Sequence, residues 1–157
     1  MELTQDFREF VGLLNEHGVK YLVVGGYAVN FHGIPRYTKD IDFWLWMTES
    51  NIEKLLDALR AFGMGSLNLK MGDFLNPEDV VQLGYAPNRI DLLVDVTGVD
   101  FETCFEQRME KDVNGTIVNF LSLSDLITAK KEAGRPQDLA DVDQLEKLRK
   151  EEENGRK

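Results

Sequence analysis

The sequence predicts an α/β or α+β domain closed by helices, and three observations predict it. Apolar residues recur at helical spacing in some stretches and as short β-branched runs in others. The two kinds alternate along the chain, and glycine marks most of the changes. The chain of 157 residues, 43% hydrophobic and 29% charged, also matches the size and composition of one globular domain.

Leu3, Phe7, Phe10, Val11 and Leu14 lie three and four apart, an amphipathic helix closed near Gly18. Val19 to Val24 is a short, mostly apolar run that stops at Gly25-Gly26, a buried strand. Tyr27 to Phe31 has room for one or two helical turns before Gly33-Ile34-Pro35 breaks them. Ile41 to Met47 is the next strand, followed by N-cap candidates at Thr48-Glu49-Ser50. The helix after them places Ile52, Leu55, Leu56, Leu59 and Phe62 on one face and ends at Gly63. Residues 63–79 are rich in Gly, Asn and Asp, so a loop is expected there, with at most one short strand. Two strands follow, Val80 to Tyr85 and Arg89 to Val96, joined through Ala86-Pro87-Asn88. Asn114-Gly115 is a hairpin signal, since both central positions of that turn favour positive φ. Two helices end the pattern, Ser122 to Ala133 and Gln137 to Lys150, the second with Leu139, Val142, Leu145 and Leu148 as its stripe. One domain over residues 1–150 and a frayed tail over 151–157 are expected.

Composition excludes several function classes. Cys104 is the only cysteine, which rules out an internal disulfide framework, and its place between Phe101 and Phe105 suits a small buried hydrophobe. No stretch approaches the roughly 20 apolar residues of a membrane span, and the first residues lack a basic region and signal core. A reducing cytoplasm is the expected setting. The net charge of -10, spread evenly along the chain, speaks against extensive duplex nucleic-acid binding. A local positive rim remains available from Arg36, Lys39, Lys130, Lys131 and Arg135. Walker A, His-Glu-x-x-His, Gly-x-Ser-x-Gly and EF-hand patterns are all absent, and His17 and His32 are too sparse for a metal pair.

The informative stretch runs from Val23 to Phe43. A strand enters two glycines, Gly25 and Gly26, that open a helix, where bare amides let a phosphate approach the backbone. Asp40 and Asp42 lie two apart on a strand, so both carboxylates leave the same face. Such a pair repels unless a cation sits between, and hard oxygen ligands suit Mg²⁺. A third acid is offered by Asp91 or Asp95, which share a face of the later strand, and alternation does not separate them.

In order and spacing this constellation resembles the DNA polymerase β-like nucleotidyltransferase superfamily. The match is to its small prokaryotic branch with Gly-Gly, Arg-x-Thr and Asp-Ile-Asp, related to the abortive-infection-type nucleotidyltransferases. Leu126 to Val142 resembles that branch's closing motif, with Gln137 where the family carries lysine. The resemblance implies a mixed β-sheet flanked by helices, with helices at the C-terminus. It implies transfer of a nucleoside monophosphate from an NTP to a hydroxyl acceptor, with release of pyrophosphate and help from two Mg²⁺ ions. Asp40, Asp42 and Asp91 would be the catalytic, metal-binding carboxylates, with Asp91 preferred to Asp95 because Ile90-Asp91-Leu92 fits the pattern. Gly25, Gly26, Arg36, Thr38 and Lys130 would bind the nucleotide, Arg36 offering its forked donors to a phosphate. For Lys130 the competing reading is a solvated helix position. Asp138 and Asp141 are expected to brace the last helix by pairing with Arg135. An RNA end, a protein hydroxyl or a small molecule would each be a compatible acceptor. The alternative is a non-catalytic NTP-binding protein or toxin–antitoxin-type partner with a vestigial site.

Overall fold

The computed structural model describes residues 3–85 and 87–155. Six α-helices and six strands make up its main elements. They are α1 (Gln5–Glu16), β1 (Tyr21–Val24), α2 (Gly25–Phe31), β2 (Asp40–Leu45), α3 (Glu49–Ala61), β3 (Val80–Leu83), β4 (Arg89–Leu93), α4 (Phe101–Glu106), β5 (Met109–Val113), β6 (Thr116–Phe120), α5 (Leu123–Ala133) and α6 (Pro136–Gly155). The strands form one mixed sheet in the order β3-β4-β2-β1-β6-β5. Here β2 runs antiparallel to β1 and parallel to β4, while β3 and β5 are antiparallel edge strands.

Strand alternation sorts the core into two layers. Tyr21, Val23, Ile41, Phe43, Ile90 and Leu92 leave one face and pack with Phe7, Phe10 and Leu14 of α1 and Ile52 and Leu55 of α3. Leu22, Val24 and Trp44 leave the other and meet Phe101, Leu126, Ile127, Val142 and Leu145 of α4, α5 and α6. The even-numbered positions of β2 belong to this second face, so Asp40 and Asp42 project beside Trp44 toward the α5–α6 side. Asn51 ties the far ends of the central strands together. Its amide donates to the carbonyls of Lys20 (3.0 Å) and Trp46 (2.9 Å), and its oxygen accepts from the Lys20 amide (2.7 Å), which accounts for its 4% exposure.

Helix ends follow the sequence closely. Thr4, Thr48 and Ser122 cap α1, α3 and α5 through their hydroxyls, and Gly134 closes α5 at φ 67°. The hairpin turn at Asn114 (φ 52°) and Gly115 (φ 91°) joins β5 to β6.

The structure departs from the sequence reading in several places. Residues 63–79 hold two 3-10 turns, Gly65–Leu67 and Met71–Phe74, where a loop with at most one strand was expected; Phe74 is buried beneath them. Residues 101–106 form α4, too short for a visible period and marked only by its Asp100 cap and the buried pair Phe101 and Cys104. β4 ends at Leu93, which leaves Asp95 beyond the strand. On α6 the buried positions are Asp138, Asp141, Val142 and Leu145, while Leu139 is 50% exposed. Two buried aspartates thus take the place of one expected apolar contact. The same helix continues through Gly155, its last five described residues exposed. The strand connection at Ala86 lies outside the described residues.

Candidate active site

Register across the sheet assembles the acidic cluster. Asp42 stands directly opposite Asp91, and Asp40 directly opposite Arg89, on the parallel pair β2–β4. Directly opposed residues share a face, so the three carboxylates converge. One oxygen from each of Asp40, Asp42 and Asp91 lies within 4.8 Å of the others. Asp95 takes no part in the cluster; it lines a separate cavity beyond the end of β4. The choice that alternation alone left open is made by where the strand stops.

Arg89 holds the cluster together. Its Nε donates to Asp91 (2.9 Å), and one Nη donates to both Asp91 (3.1 Å) and Asp40 (3.0 Å). No such bond reaches Asp42 from this guanidinium among the described residues. Burial first, then the charges of Asp91 and Asp40, push the Asp42 carboxyl up to about 7. One guanidinium among three carboxylates leaves the cluster short of positive charge.

Glycine is required at the corner between β1 and α2. Gly25 has φ 69°, and a Cβ there would lie 2.1 Å from Oδ2 of Asp42. At Gly26 a Cβ would lie 2.7 Å from the Thr38 methyl. The glycine pair therefore lets the first turn of α2 press against the acid strand on one side and the loop before it on the other. Thr38 fills the space that the second glycine leaves.

Beside this corner lies a cavity of about 230 Å³, walled by apolar residues such as Val24, Leu93 and Leu126 and carrying Gly25, Lys130 and Arg135. Its cations belong to a dense ionic brace. Asp141, 2% exposed, receives both Nη groups of Arg36, the Lys130 ammonium (2.8 Å) and the Gln137 amide (3.0 Å). Asp138, 3% exposed, receives Arg135 Nε (2.6 Å) and Lys130 (3.4 Å). Burial alone would raise the Asp141 carboxyl, but hydrogen bonds from Arg36, Lys130 and Gln137 outweigh it and hold it well below the usual carboxylate range. The Arg135 hydrogen bond likewise holds Asp138 down.

This brace changes two expectations. The fork of Arg36 goes to Asp141, where a phosphate was expected, because the buried carboxylate offers two oxygens in matching geometry. Of the two α6 aspartates, only Asp138 pairs with Arg135; Asp141 binds Arg36 and Lys130. Lys130 is largely enclosed by the brace and still lines the cavity, so it is no solvated surface lysine. The expected positive rim is largely neutralised, since Lys131 also pairs with Glu146 (2.7 Å).

Sequence reasoning missed Arg89, although its position two residues before Asp91 placed it on the same strand face. It also missed an open cleft of about 570 Å³ on the β3 side of Arg89. Cys104 is buried, and burial pushes its thiol up to about 12, which fits a packing role. His32 hydrogen-bonds the Leu121 carbonyl (2.7 Å) and lies outside the acidic cluster.

Comparison with known proteins bears on this geometry. A family model described as "Nucleotidyltransferase of unknown function (DUF6036)" matches residues 1–151. No curated protein matches the sequence significantly. Among solved structures, the lincosamide antibiotic adenylyltransferase LnuA with lincomycin bound is similar at TM-score 0.54 and 13% identity, over 94% of this chain and 99% of its own. A candidate nucleotidyltransferase of Thermotoga maritima, TM1012, matches at TM-score 0.54 and 17% identity, over 98% of this chain and 97% of its own. The antibiotic-resistance factor ANT(2'')-Ia matches at TM-score 0.51 and 13% identity, over 98% of this chain and 94% of its own. At such identities the likeness is one of fold, a mixed sheet flanked by helices.

Proposed function

The chain belongs to the DUF6036 family of nucleotidyltransferases, and from that premise we propose Mg²⁺-dependent transfer of a nucleoside monophosphate from an NTP to a hydroxyl-bearing acceptor. The observation that carries this reading is the convergence of Asp40, Asp42 and Asp91, three carboxylates with one guanidinium among them. An all-oxygen donor set with surplus negative charge fits a hard divalent cation, and the missing Cβ of Gly25 keeps the approach to Asp42 open. Asp40, Asp42 and Asp91 would hold the metal, two ions by the resemblance. When bound, such ions polarise the α-phosphate and acidify the acceptor hydroxyl.

The chain's own residues would do the rest. Gly25 and Gly26 would admit the triphosphate to the β1–α2 corner. Lys130, kept extended by Asp138 and Asp141, would meet its outer phosphates from α5. Arg36 and Thr38 would position that corner, Arg36 through Asp141 and Thr38 through its contact with Gly26. In the reaction the acceptor oxygen bonds to the α-phosphorus while the bond to the bridging α–β oxygen breaks. Pyrophosphate leaves with that electron pair, and the hydroxyl proton passes to solvent. ATP is a natural first donor to try, because LnuA is named as an adenylyltransferase. The lincomycin bound to LnuA makes a small molecule a reasonable acceptor to test beside RNA ends and protein hydroxyls. The setting we propose is the cytoplasm, with residues 1–150 as one catalytic unit.

A second reading, nucleotide binding without turnover, draws on Gln137, which serves Asp141 where the resemblance implies lysine, and on the engagement of Arg36. Pyrophosphate release from each of the four NTPs, with Mg²⁺ and with chelator, separates the two. Mg²⁺-dependent release supports transfer, and Mg²⁺-dependent binding without release under any acceptor supports the second reading. Absence of metal-dependent binding overturns both.

A further inference from the structure

We propose that the acceptor occupies the open cleft beside Arg89 and is a compact, ring-bearing alcohol without negative charge. The inference rests on the transfer reading above and adds to it where the acceptor sits and what chemical class it belongs to. The cleft, about 570 Å³, is lined by Met64, Leu67, Gln82, Gly84, Tyr85 and Arg89. That volume falls within the roughly 300–1,000 Å³ of small-molecule sites.

Its position follows from the register. Asp42, Asp91 and Gln82 stand in one row across β2, β4 and β3, so Gln82 is the next side chain beyond the carboxylates on the same face. Gly25 follows Val24, which pairs with Asp42 on the β1 side, away from β4 and β3; the smaller cavity that Gly25 and Lys130 line runs from there to Leu93 and Asp95 at the far end of β4 from Arg89. An in-line displacement needs nucleophile and leaving group on opposite sides of phosphorus. With the triphosphate on the Gly25 and Lys130 side, the cleft is where the attacking hydroxyl arrives.

The lining decides the class. Tyr85 is 89% exposed and Leu67 51% exposed, and both line this one cleft, which reaches the acidic cluster through Arg89. Together with Met64 they offer a ring face and adaptable apolar walls. Gln82 supplies a neutral donor and acceptor suited to a hydroxyl. Arg89 is the single cation among the described lining residues, and three of its hydrogen bonds go to Asp40 and Asp91. Nothing else there would neutralise a phosphate backbone or an acidic peptide.

The test labels the methionine methyl groups with ¹³C and follows Met64 by NMR in the presence of Mg²⁺ and a non-hydrolysable ATP analogue. Three probes are titrated: 2-(4-hydroxyphenyl)ethanol, a uridine tetranucleotide and a short peptide containing Ser and Tyr. The alcohol is expected to shift the Met64 methyl saturably and more tightly than the other two. Leu67→Arg and Tyr85→Ala, both at exposed positions, are expected to weaken it about tenfold, with the fold judged by the unchanged signals of the other methionines. Tighter binding of the tetranucleotide or the peptide at Met64 overturns the proposal, as does an alcohol response that both variants leave unaltered. Calorimetry of Mg²⁺–ATP on the same samples separates the two levels. Intact nucleotide binding without an alcohol response overturns the cleft alone. A missing nucleotide site overturns the transfer reading and the acceptor role with it.

Discussion

Two carboxylate clusters flank the β1–α2 corner, and their charge balance is opposite. At the first, the one guanidinium of Arg89 binds Asp40 and Asp91, and Asp42 is pushed up to about 7 by burial and by its two neighbours. At the second, Asp138 and Asp141 are met by Arg36, Lys130 and Arg135, and both carboxylates are held below their usual range. The more deeply buried pair is the better satisfied one. Burial of a charge is tolerated where partners are complete, and a shortfall of partners marks a place kept for something that arrives from outside.

The largest effect is expected from breaking the brace. Asp141→Ala removes the shared partner of Arg36 and Lys130 while both stay largely enclosed, and should cost about 3 kcal/mol in urea unfolding. A loss below about 1 kcal/mol would mean that the two cations relax into solvent and that the brace is ornamental. Gly25→Ala comes next. A side chain at φ 69° costs about 1–2 kcal/mol, and the new methyl must also displace Asp42. Both unfolding free energy and Mg²⁺ affinity should fall, whereas Gly12→Ala, where a Cβ meets nothing within 4 Å, should weaken neither.

The smallest effect sharpens the comparison by its sign. In chelator, Asp42→Asn should stabilise the protein by about 1 kcal/mol at pH 8, because it removes a carboxylate that the folded state disfavours. The native pH profile should carry two limbs. Asp42 has a folded pKa raised above its unfolded value of 3.8, so its favourable contribution is complete below that value and is lost progressively as pH rises from there through about 7. Asp138 and Asp141 are depressed, so theirs is complete above the usual carboxylate range and is lost on acidification. Thermal melts in chelator should therefore peak near the unfolded carboxylate value, at about pH 4, and decline from there to about pH 7. Asp42→Asn should flatten the alkaline limb and leave the acid one. A monotonic profile in both proteins would show that the two clusters do not differ as described.

What the sequence made legible divides along the same line. Asp40, Asp42 and the two glycines could be read because strand alternation and a turn's need for glycine are local rules that spacing expresses directly. Asp91 against Asp95 could not, since the answer depended on β4 ending at Leu93, which is set by the edge of a sheet rather than by the residues between. The brace was half legible. Asp138 and Arg135 lie three apart, within reach of a local pairing, but Arg36 meets Asp141 across 105 residues, and no local pattern reports that. The burial of Asp138 and Asp141 ran against composition, because an aspartate on a helix ordinarily faces water and Leu139 ordinarily does not. The cleft was not legible because Met64 and Leu67 reach it from turns that carry no periodic signal.

The most direct test of the acidic cluster as a metal-dependent nucleotide site is a calorimetric titration of ATP into the native protein and into Asp42→Asn, each with Mg²⁺ and with chelator. The native protein should bind ATP only with Mg²⁺, and the variant, folded by its thermal melt, should bind about a hundredfold more weakly or not at all. Equal affinity in the two proteins, or native binding that ignores the metal, would contradict the assignment of Asp40, Asp42 and Asp91.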